Sequence, residues 1–333
     1  MDGKQLRPFR ESAHVRCRGY STGLQRAITD FGADDAFGQV PKKIKEHYGV
    51  EVPESSARAI TQRHGKRIEA NRELLEVLPR GGVKELIGEM DGCMLPVVSI
   101  NARENEESPT DGRKRRDLSW QEARLCLARE PEKLDGRYAA TMGDPEKAGE
   151  LFADCVIRVG GGLETVLHFL GDGAPWIVIQ AKKRLLMLVI FLLDFYHVSE
   201  YLAGAAEVIA SDQKRQWLKA QQERMKSNRV DEVLSELSAS IPSTDDKDHP
   251  VVACKRYLEK RMDQLDYAGA IKAGLPIGTG EVEGGHRWLI QKRIKLSGAW
   301  WTKQNLEKML ALRTLRANGD WESYWAEVRQ AAA

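Results

Sequence analysis

Two carboxylates lie in a glycine-rich stretch near the end of the chain, where they could take part in acid–base or metal chemistry. Glu281 and Glu283 fall within the stretch Leu275–Trp288, among glycines at positions 278, 280, 284 and 285. Glycine lets the backbone turn sharply and approach a bulky ligand closely. A basic, helical run follows at once, so a carboxylate at this helix start would face a polyanion.

Two distant aspartates could join Glu283 in one site. Asp91 precedes a glycine at the end of a predicted first strand, and Asp172 lies between two glycines after a predicted fourth strand. In sheets with parallel crossovers, functional groups collect where strand ends open into loops. Mg²⁺ prefers oxygen ligands, and two ions roughly 3.5–4 Å apart can drive phosphodiester cleavage. We therefore expect a catalytic site of Asp91, Asp172 and Glu283 that binds Mg²⁺ or Mn²⁺, as two ions.

Each of these carboxylates also has a structural explanation. Asp91 and the glycine after it form a common hairpin-turn pair. Asp172 could cap the following helix, and Glu283 could serve only the dipole of a first helical turn. Glu281 competes for the role of Glu283. Individually the signals are weak, and their joint placement on the predicted sheet favours the catalytic interpretation.

Asp194 and His197 form another polar pair, at the end of the predicted fifth strand. Asp194 is suited to cap the next helix, with His197 on its first turn. We expect Asp194, His197 and Glu281 to support the site, His197 by positioning DNA or a carboxylate. Whether Asp194 or Glu281 binds metal is left open by the sequence.

Basic residues dominate the chain after Glu283, although the whole chain carries 51 Lys+Arg against 49 Asp+Glu. Net charge therefore does not mark a nucleic-acid binder, but its distribution can. Basic side chains neutralise phosphates and aromatic rings stack on unpaired bases, unless this is a solvated helix face with core tryptophans. The DNA contacts expected here are His286, Arg287, Trp288, Lys292, Arg293 and Lys295.

The N-terminal region has the pattern of a helix-turn-helix over about 36–64. Val40, Ile44 and Tyr48 mark one face of a helix that Gly49 closes, and a second helix begins near Ser56. Such a pair can bind DNA, although helix pairs joined by a glycine turn also occur without it. The second helix would offer Arg58, Gln62 and Arg63 to a major groove, and a polar loop adds Arg113, Lys114, Arg115 and Arg116. The basic tail over 1–27 is either a solvated tail or a DNA-contacting arm.

The order of the predicted elements favours an α/β fold. Three successive strands precede alternating helices and strands, which is the order of the ribonuclease-H-like fold with its mixed sheet. The expected strands are Lys84–Gly92 continuing through Met94–Ile100, Leu118–Arg129, Gly136–Thr141, Glu164–Leu170 and Leu185–Leu193. The expected regions are a DNA-binding part over 1–80, a catalytic core over 81–202, an all-helical insertion over 203–272 and the rest of the core with basic helices over 273–333.

Cysteine usage and hydropathy indicate the cellular compartment in which the protein is expected. The five cysteines are an odd number without a Cys-x-x-Cys pair, which argues against a disulfide framework and a structural zinc site. The longest apolar run has nine residues, whereas a bilayer span needs roughly 20. Residues 1–30 lack the apolar segment of a signal peptide. We expect a cytoplasmic protein without membrane contact, and the family resemblance described below implies a bacterial, nucleoid-associated one.

Five phrases of the sequence resemble the Kra-type bacterial insertion-sequence transposases, which are relatives of the Mutator group. They are Leu24–Ala33, His47–Pro53, Gly171–Ile177, Leu193–His197 and Pro276–Trp288. The resemblance runs over about 20–325, and the last three phrases are together quite specific. It implies a DDE transposase with a ribonuclease-H-like core, magnesium or manganese, and cut-and-join chemistry at terminal inverted repeats.

By motif, the resemblance assigns the acidic triad to Asp91, Asp172 and Glu283. Asp194 stands where Mutator-like enzymes carry the cysteine of a Cys-x-x-His pair, so a metal role for that pair is in doubt. The expected reaction is hydrolysis at the transposon end, followed by attack of the freed 3′-hydroxyl on target DNA. Pairing two ends implies a homodimer or larger assembly on DNA. The alternatives are a non-catalytic helix-turn-helix regulator, and a nuclease of the same fold that cuts without joining.

Overall fold

A five-stranded mixed sheet forms the centre of the protein, whose computed structural model describes residues 19–100, 116–243 and 246–331. β1 (Glu85–Ile100), β2 (Arg116–Arg129) and β3 (Arg137–Thr141) follow one another as antiparallel neighbours. β4 (Val166–Gly171) runs parallel to β1, and β5 (Leu188–Leu193) runs parallel to β4. The strand order is β3-β2-β1-β4-β5, and helices make the crossovers into β4 and β5, as parallel pairing requires.

Helices α4 (Pro145–Arg158) and α5 (Pro175–Arg184) are these crossover connections. Asp144 begins α4 by accepting a hydrogen bond from a backbone N–H of its first turn. Phe152 of α4 stacks on Phe169 of β4, with ring centroids 4.9 Å apart. Gly88 of β1 makes room for that ring, because a Cβ there would lie 2.7 Å from it. α4 therefore packs on one face of the sheet.

The opposite face of the sheet is covered by the glycine-rich segment. The Pro276 carbonyl lies 2.8 Å from His168 Nε2 of β4, and the Val282 N–H donates to Glu89 Oε2 of β1 at 2.8 Å. This segment forms helix α11, which begins as Gly280–Gly285, continues as a π-helical stretch His286–Gln291 and ends as Lys292–Ile294.

Helices also occupy most of the described chain between β5 and α11. Asp194 caps the first of them, and Asp266 caps the last. Tyr257, Leu265 and Tyr267 belong to the same hydrophobic core as the sheet and α4, so these helices pack directly on the core. They are α6 (Phe195–Ile209), α7 (Lys214–Lys226), α8 (Val230–Ala239), α9 (Pro250–Glu259) and α10 (Tyr267–Ala273).

The two ends of the described chain pack against each other. Arg26 and Glu322 form an ion pair, and His64 Nδ1 lies 2.6 Å from the Tyr324 hydroxyl. Gly49, with φ 67°, ends α2 in the left-handed conformation that glycine adopts at low cost, as the sequence predicted. The helices involved are α1 (Thr22–Asp34), α2 (Val40–Tyr48), α3 (Glu54–Ala70), α12 (Lys303–Ala317) and α13 (Trp321–Gln330).

Three sequence-based expectations about these elements were wrong. Asp91 lies neither in a hairpin turn nor at a strand end, because β1 is continuous and Asp91 pairs with Leu125 of β2. The apolar run that predicted a buried strand forms an edge strand, in which Leu188 and Ile190 are 61% and 49% exposed. The helical linker expected over 65–80 ends at Ala70. In the described ranges, the helices are too short or too polar for any of them to cross a membrane.

Candidate functional site

Asp91, Asp172 and Asp194 are brought to the same level of the sheet by the pairing of three parallel strands. The register between β1 and β4, continued by two residues, sets Asp91 beside Asp172. The register between β4 and β5, continued by one residue, sets Asp172 beside Asp194. Asp172 and Asp194 are the first residues after β4 and β5, so all three aspartates lie where these strands open into loops or continue beyond the sheet. The sequence predicted that Asp91 and Asp172 lie side by side, and both this neighbourhood and their catalytic role stay predictions.

Asp194 is a fully engaged carboxylate at the start of α6. It is 2% exposed, and its Oδ1 accepts from the N–H groups of Tyr196 and His197 at 2.6 and 3.1 Å. Its Oδ2 accepts from the N–H of Thr279 at 3.0 Å and from the Thr279 hydroxyl. Asp194 therefore joins α6 to the glycine-rich segment, and its expected supporting role stays a prediction.

Asp172 lies in a loop that α9 and the turn after it hold in place. Its Oδ1 accepts from the Ala174 N–H at 2.8 Å, which forms the turn into α5. The Tyr257 hydroxyl donates to the Asp172 carbonyl at 2.8 Å, and Arg261 donates to the Gly173 carbonyl at 3.0 Å. The backbone at Asp172 is thus fixed, while one carboxylate oxygen accepts no hydrogen bond from the described residues.

Glu283 projects from the first turns of α11 and is exposed. Its carboxylate makes no hydrogen bond or ion pair with the described residues. Partial burial raises the pKa of Glu283, the nearby carboxylates of Asp194 and Asp91 raise it further, and Arg287 opposes them. Glu283 therefore lies close enough to both aspartates to feel their charge.

His286, at the start of the π-helical stretch, faces Asp91. Its Nε2 lies 3.3 Å from Asp91 Oδ2, an ion-pair distance, although neither ring nitrogen makes a hydrogen bond of regular geometry with the described residues. Burial lowers the pKa of His286, but Asp91 and Cys93 outweigh it and raise the pKa to about 9. A protonated His286 would place its positive charge next to the Asp91 carboxylate. Short π-helical stretches occur frequently at functional sites.

Glu89 is a carboxylate of this site that the sequence analysis missed. It is 1% exposed, two residues before Asp91 on the same face of β1, and its Oε1 has no partner among the described residues. Burial raises its pKa to about 8, even though the Val282 N–H donates to the other oxygen. The two-residue spacing from Asp91 is the signal that could have found it.

Glu281 forms an ion pair with Arg129. Arg129, whose side chain is 9% exposed, holds the Glu281 carboxylate with its Nε 2.7 Å from both oxygens. A bidentate pair of this kind fixes the carboxylate in direction. Because Glu281 is held in this way, Glu283 is the better candidate for the third acidic group.

The carboxylates of Asp91, Asp172 and Glu283 are the type of ligand that Mg²⁺ prefers, because Mg²⁺ binds hard oxygen donors. These side chains do not point to a common position. Within the described ranges, no group of three or more His, Cys, Asp or Glu side chains could hold a metal ion. Asp91 faces His286, and Asp172 bonds its own turn. A metal ion would therefore require the side chains to reorient.

The predicted DNA contacts fall into exposed and buried groups. His286 and Arg293 are 3% and 1% exposed, so neither presents its side chain at the surface, where a backbone phosphate would lie. Arg293 is buried because it lies over the rings of Phe37 and Trp301, at 4.7 and 5.0 Å. Gln62 is half-buried. Exposed are Arg58, Arg63, Arg116, Arg287, Trp288, Lys292 and Lys295, whereas Arg113, Lys114, Arg115 and the tail over 1–18 lie outside the described residues.

Comparisons with known proteins give partial matches. No family model matches the chain. A protein named UPF0236 protein in vanSb 3′region, from Streptococcus gallolyticus, is 31% identical over 137 residues, which cover 40% of this chain. The chain covers 29% of that relative's length. The Drosophila P element transposase strand transfer complex aligns over 98% of this chain and 82% of its own, at 11% identity and a TM-score of 0.30. A likeness at that score supports no conclusion, and neither match names the Kra-type group.

Proposed function

We propose that the protein is a metal-dependent DNA transposase. The proposal is supported by the register of β1 and β4, which ends at Glu89 and Leu170 and, continued by two residues, would set Asp91 level with Asp172. It is supported also by the raised pKa of Glu283, to which Asp91 and Asp194 both contribute. The strand order β3-β2-β1-β4-β5, with β2 antiparallel to its neighbours, supports a ribonuclease-H-like core. The motif resemblance to Kra-type transposases points in the same direction.

Electrostatics supports a divalent cation at this place. The raised pKa of Glu283 reflects, besides its partial burial, negative charge from two aspartates that nearby cations do not fully compensate. Asp91, Asp172 and Glu283 would hold Mg²⁺ or Mn²⁺, as two ions, once their side chains turn toward one another. A bound pair of ions supplies the charge that activates a water or 3′-hydroxyl and stabilises the leaving oxygen.

The chain's other residues position these groups and the DNA. Asp194 and Thr279 fix the start of the segment that carries Glu283. Tyr257 fixes the loop of Asp172. The exposed Arg287 and Lys292 lie just beyond Glu283, where they would contact phosphates of terminal-repeat or target DNA. We also propose a homodimer or larger assembly on DNA, which light scattering of the complex would test.

The experiment is cleavage of a labelled duplex taken from the DNA that flanks the coding sequence, with Mg²⁺ or Mn²⁺. Asp91→Asn, Asp172→Asn and Glu283→Gln should each slow cleavage by about a hundredfold or more, since several kcal/mol of metal stabilisation are lost. Glu223→Gln is the matched control, because Glu223 is an exposed acid that pairs with Lys226 far along α7. If one of the three site variants cleaves DNA at the wild-type rate, the assignment of that residue to the metal site is refuted.

Metal binding provides a readout that is independent of cleavage. Calorimetric titration with Mn²⁺ should show binding to the wild type and to Glu223→Gln. Binding should weaken in Asp91→Asn and Glu283→Gln, which each remove a charged oxygen donor. Equal Mn²⁺ affinity in all four proteins would place any metal elsewhere.

A non-catalytic DNA-binding regulator is the second candidate. The contact of Asp91 with His286 and the lack of convergence among the described acidic side chains favour it. A wild type that binds DNA, binds no Mn²⁺ and never cuts would support this function. A nuclease without strand transfer would instead give cut products and no joined products.

A further inference from the structure

A cavity of about 400 Å³ lies between the N-terminal helices and the far end of the sheet. The start of α3, Val98 of β1 and the chain before α12 line it. Val98 follows Asp91 by seven residues in one continuous strand, which corresponds to about 23 Å at the rise of a β-strand. The cavity is therefore separate from the carboxylates.

Residues from four separate parts of the chain bring cationic and aromatic groups to this cavity. Arg58 of α3, Arg116 of β2 and Arg293 of α11 line it together with Trp300. The Trp300 side chain is 56% exposed, whereas Trp301 next to it is buried in the core. Glu54 also lines the cavity and forms an ion pair with Arg58, which leaves a positive balance.

Arg293 provides a buried donor without a partner. The residue is 1% exposed, and its Nε donates to the Gly32 carbonyl at 3.1 Å. Its Nη2 is also buried and has no hydrogen-bond partner among the described residues. Buried donors are nearly always paired, because leaving one unpaired is costly. Because Arg293 lines the cavity, a turn of its guanidinium toward the cavity would let a ligand acceptor satisfy this atom.

We propose that this cavity binds one unpaired nucleobase of DNA, with the Trp300 indole as the stacking surface and Arg293 Nη2 as the donor to a base acceptor. The proposal takes DNA as the ligand from the proposed function, but it requires none of the carboxylates. Aromatic rings beside cationic groups are the means by which proteins bind single strands, since every base has a π-face. Arg116 is exposed and can contact a neighbouring phosphate, and the exposed Arg58 can do so by exchanging its ion pair with Glu54 for the phosphate.

The test compares two labelled single strands of about 20 nucleotides, oligo(dT) and an abasic strand with the same number of phosphates, by fluorescence anisotropy in EDTA. Wild type should bind oligo(dT) about tenfold more tightly than the abasic strand. Trp300→Ala should bring this ratio close to one, while affinity for the abasic strand is kept. Trp120→Ala is the matched control, because Trp120 is 59% exposed and does not line the cavity.

Arg293→Lys is a second variant, which keeps the charge but shortens the reach of the donor. It should lower the ratio while thermal denaturation shows a folded protein. A wild-type ratio near one, or an unchanged ratio in Trp300→Ala, would overturn the proposal. A high ratio in a protein that never cuts DNA would leave the base site standing and remove the proposed catalysis. Failure of the proposed catalysis and failure of the proposed base site can thus be distinguished, because cleavage and the preference for oligo(dT) over the abasic strand are measured separately.

Discussion

Two arginines that bind the same aspartate differ in burial at the interface of α1 with α12. Arg313 is 7% exposed and donates to Asp34 at 2.6 Å and to three backbone carbonyls. Arg316 also pairs with Asp34, at 2.8 Å, but its side chain is 28% exposed. Removing a buried arginine leaves the buried groups that it contacted without a partner, which is costly. Exposed ion pairs, in contrast, contribute little to the free energy of unfolding.

We therefore expect Arg313→Met to lower the free energy of unfolding by about 3–5 kcal/mol. Arg316→Met, the matched control, should lower it by about 1 kcal/mol or less. Urea denaturation of both variants and the wild type measures the difference. Equal losses would mean that burial does not set the contribution of these pairs.

Residue identity predicted which groups could do chemistry, but not what each would contact. The acidic types and their glycine neighbours sufficed to single out Asp91, Asp172 and Glu283. Arg293 lies in a basic run and was expected at the surface, yet it is buried against Phe37, more than 250 positions away in the sequence. Burial by such distant partners leaves no local trace, so the sequence could not reveal it.

At the scale of elements, a glycine sets how closely two helices approach. A Cβ on Gly65 of α3 would lie 2.5 Å from the Lys308 carbonyl of α12, so the two backbones are in contact there. Gly23 of α1 has no atom within 4 Å of the equivalent position. The two glycines therefore allow a matched comparison.

Gly65→Ala should lower the unfolding free energy by about 1–3 kcal/mol, because the helices must move apart. Gly23→Ala should leave it unchanged or raise it by up to about 1 kcal/mol, since alanine favours helix and meets no neighbour. Thermal or urea denaturation distinguishes these outcomes. A loss in Gly23→Ala as large as that in Gly65→Ala would attribute the effect to helix propensity instead of packing.

Apolar periodicity predicted the strands well where their ends carry turn residues. The strand expected over Glu164–Leu170 is Val166–Gly171, and the one expected over Leu118–Arg129 is Arg116–Arg129. β1 was misread because Asp91 and the glycine after it form a local turn signal that pairing with β2 overrides. The exposed face of β5 was missed because hydropathy does not reveal which strand lies at the edge of a sheet.

At the scale of the whole molecule, the N-terminal helices are joined to the C-terminal helices through a buried histidine. His64 of α3 contacts Tyr324 of α13 through Nδ1 and Gln25 of α1 through Nε2, at 2.6 and 3.2 Å. Burial, with smaller contributions from Arg67 and Arg63, lowers the pKa of His64 to about 4. The neutral ring is therefore the form that stabilises this junction.

The resulting pH dependence has a defined sign. Because the pKa of His64 is depressed on folding, the unfolded chain binds a proton first as the pH falls. The stabilisation is complete above about pH 6.5 and is lost progressively towards about pH 4, with a total of about 3 kcal/mol. We expect the advantage of wild type over His64→Gln in unfolding free energy to shrink across this interval. Urea denaturation at several pH values measures it, and a constant advantage would contradict the role of His64.

The long strand β1 carries both proposed sites on one rigid element. Asp91 lies near its middle, and Val98 borders the cavity beside Trp300. Their separation of about 23 Å matches about seven nucleotides of a stacked strand, at 3.4 Å each. Together, the two proposals imply that β1 sets a fixed distance between the cleaved bond and the bound base. The number of nucleotides between them would then be constant and independent of their sequence.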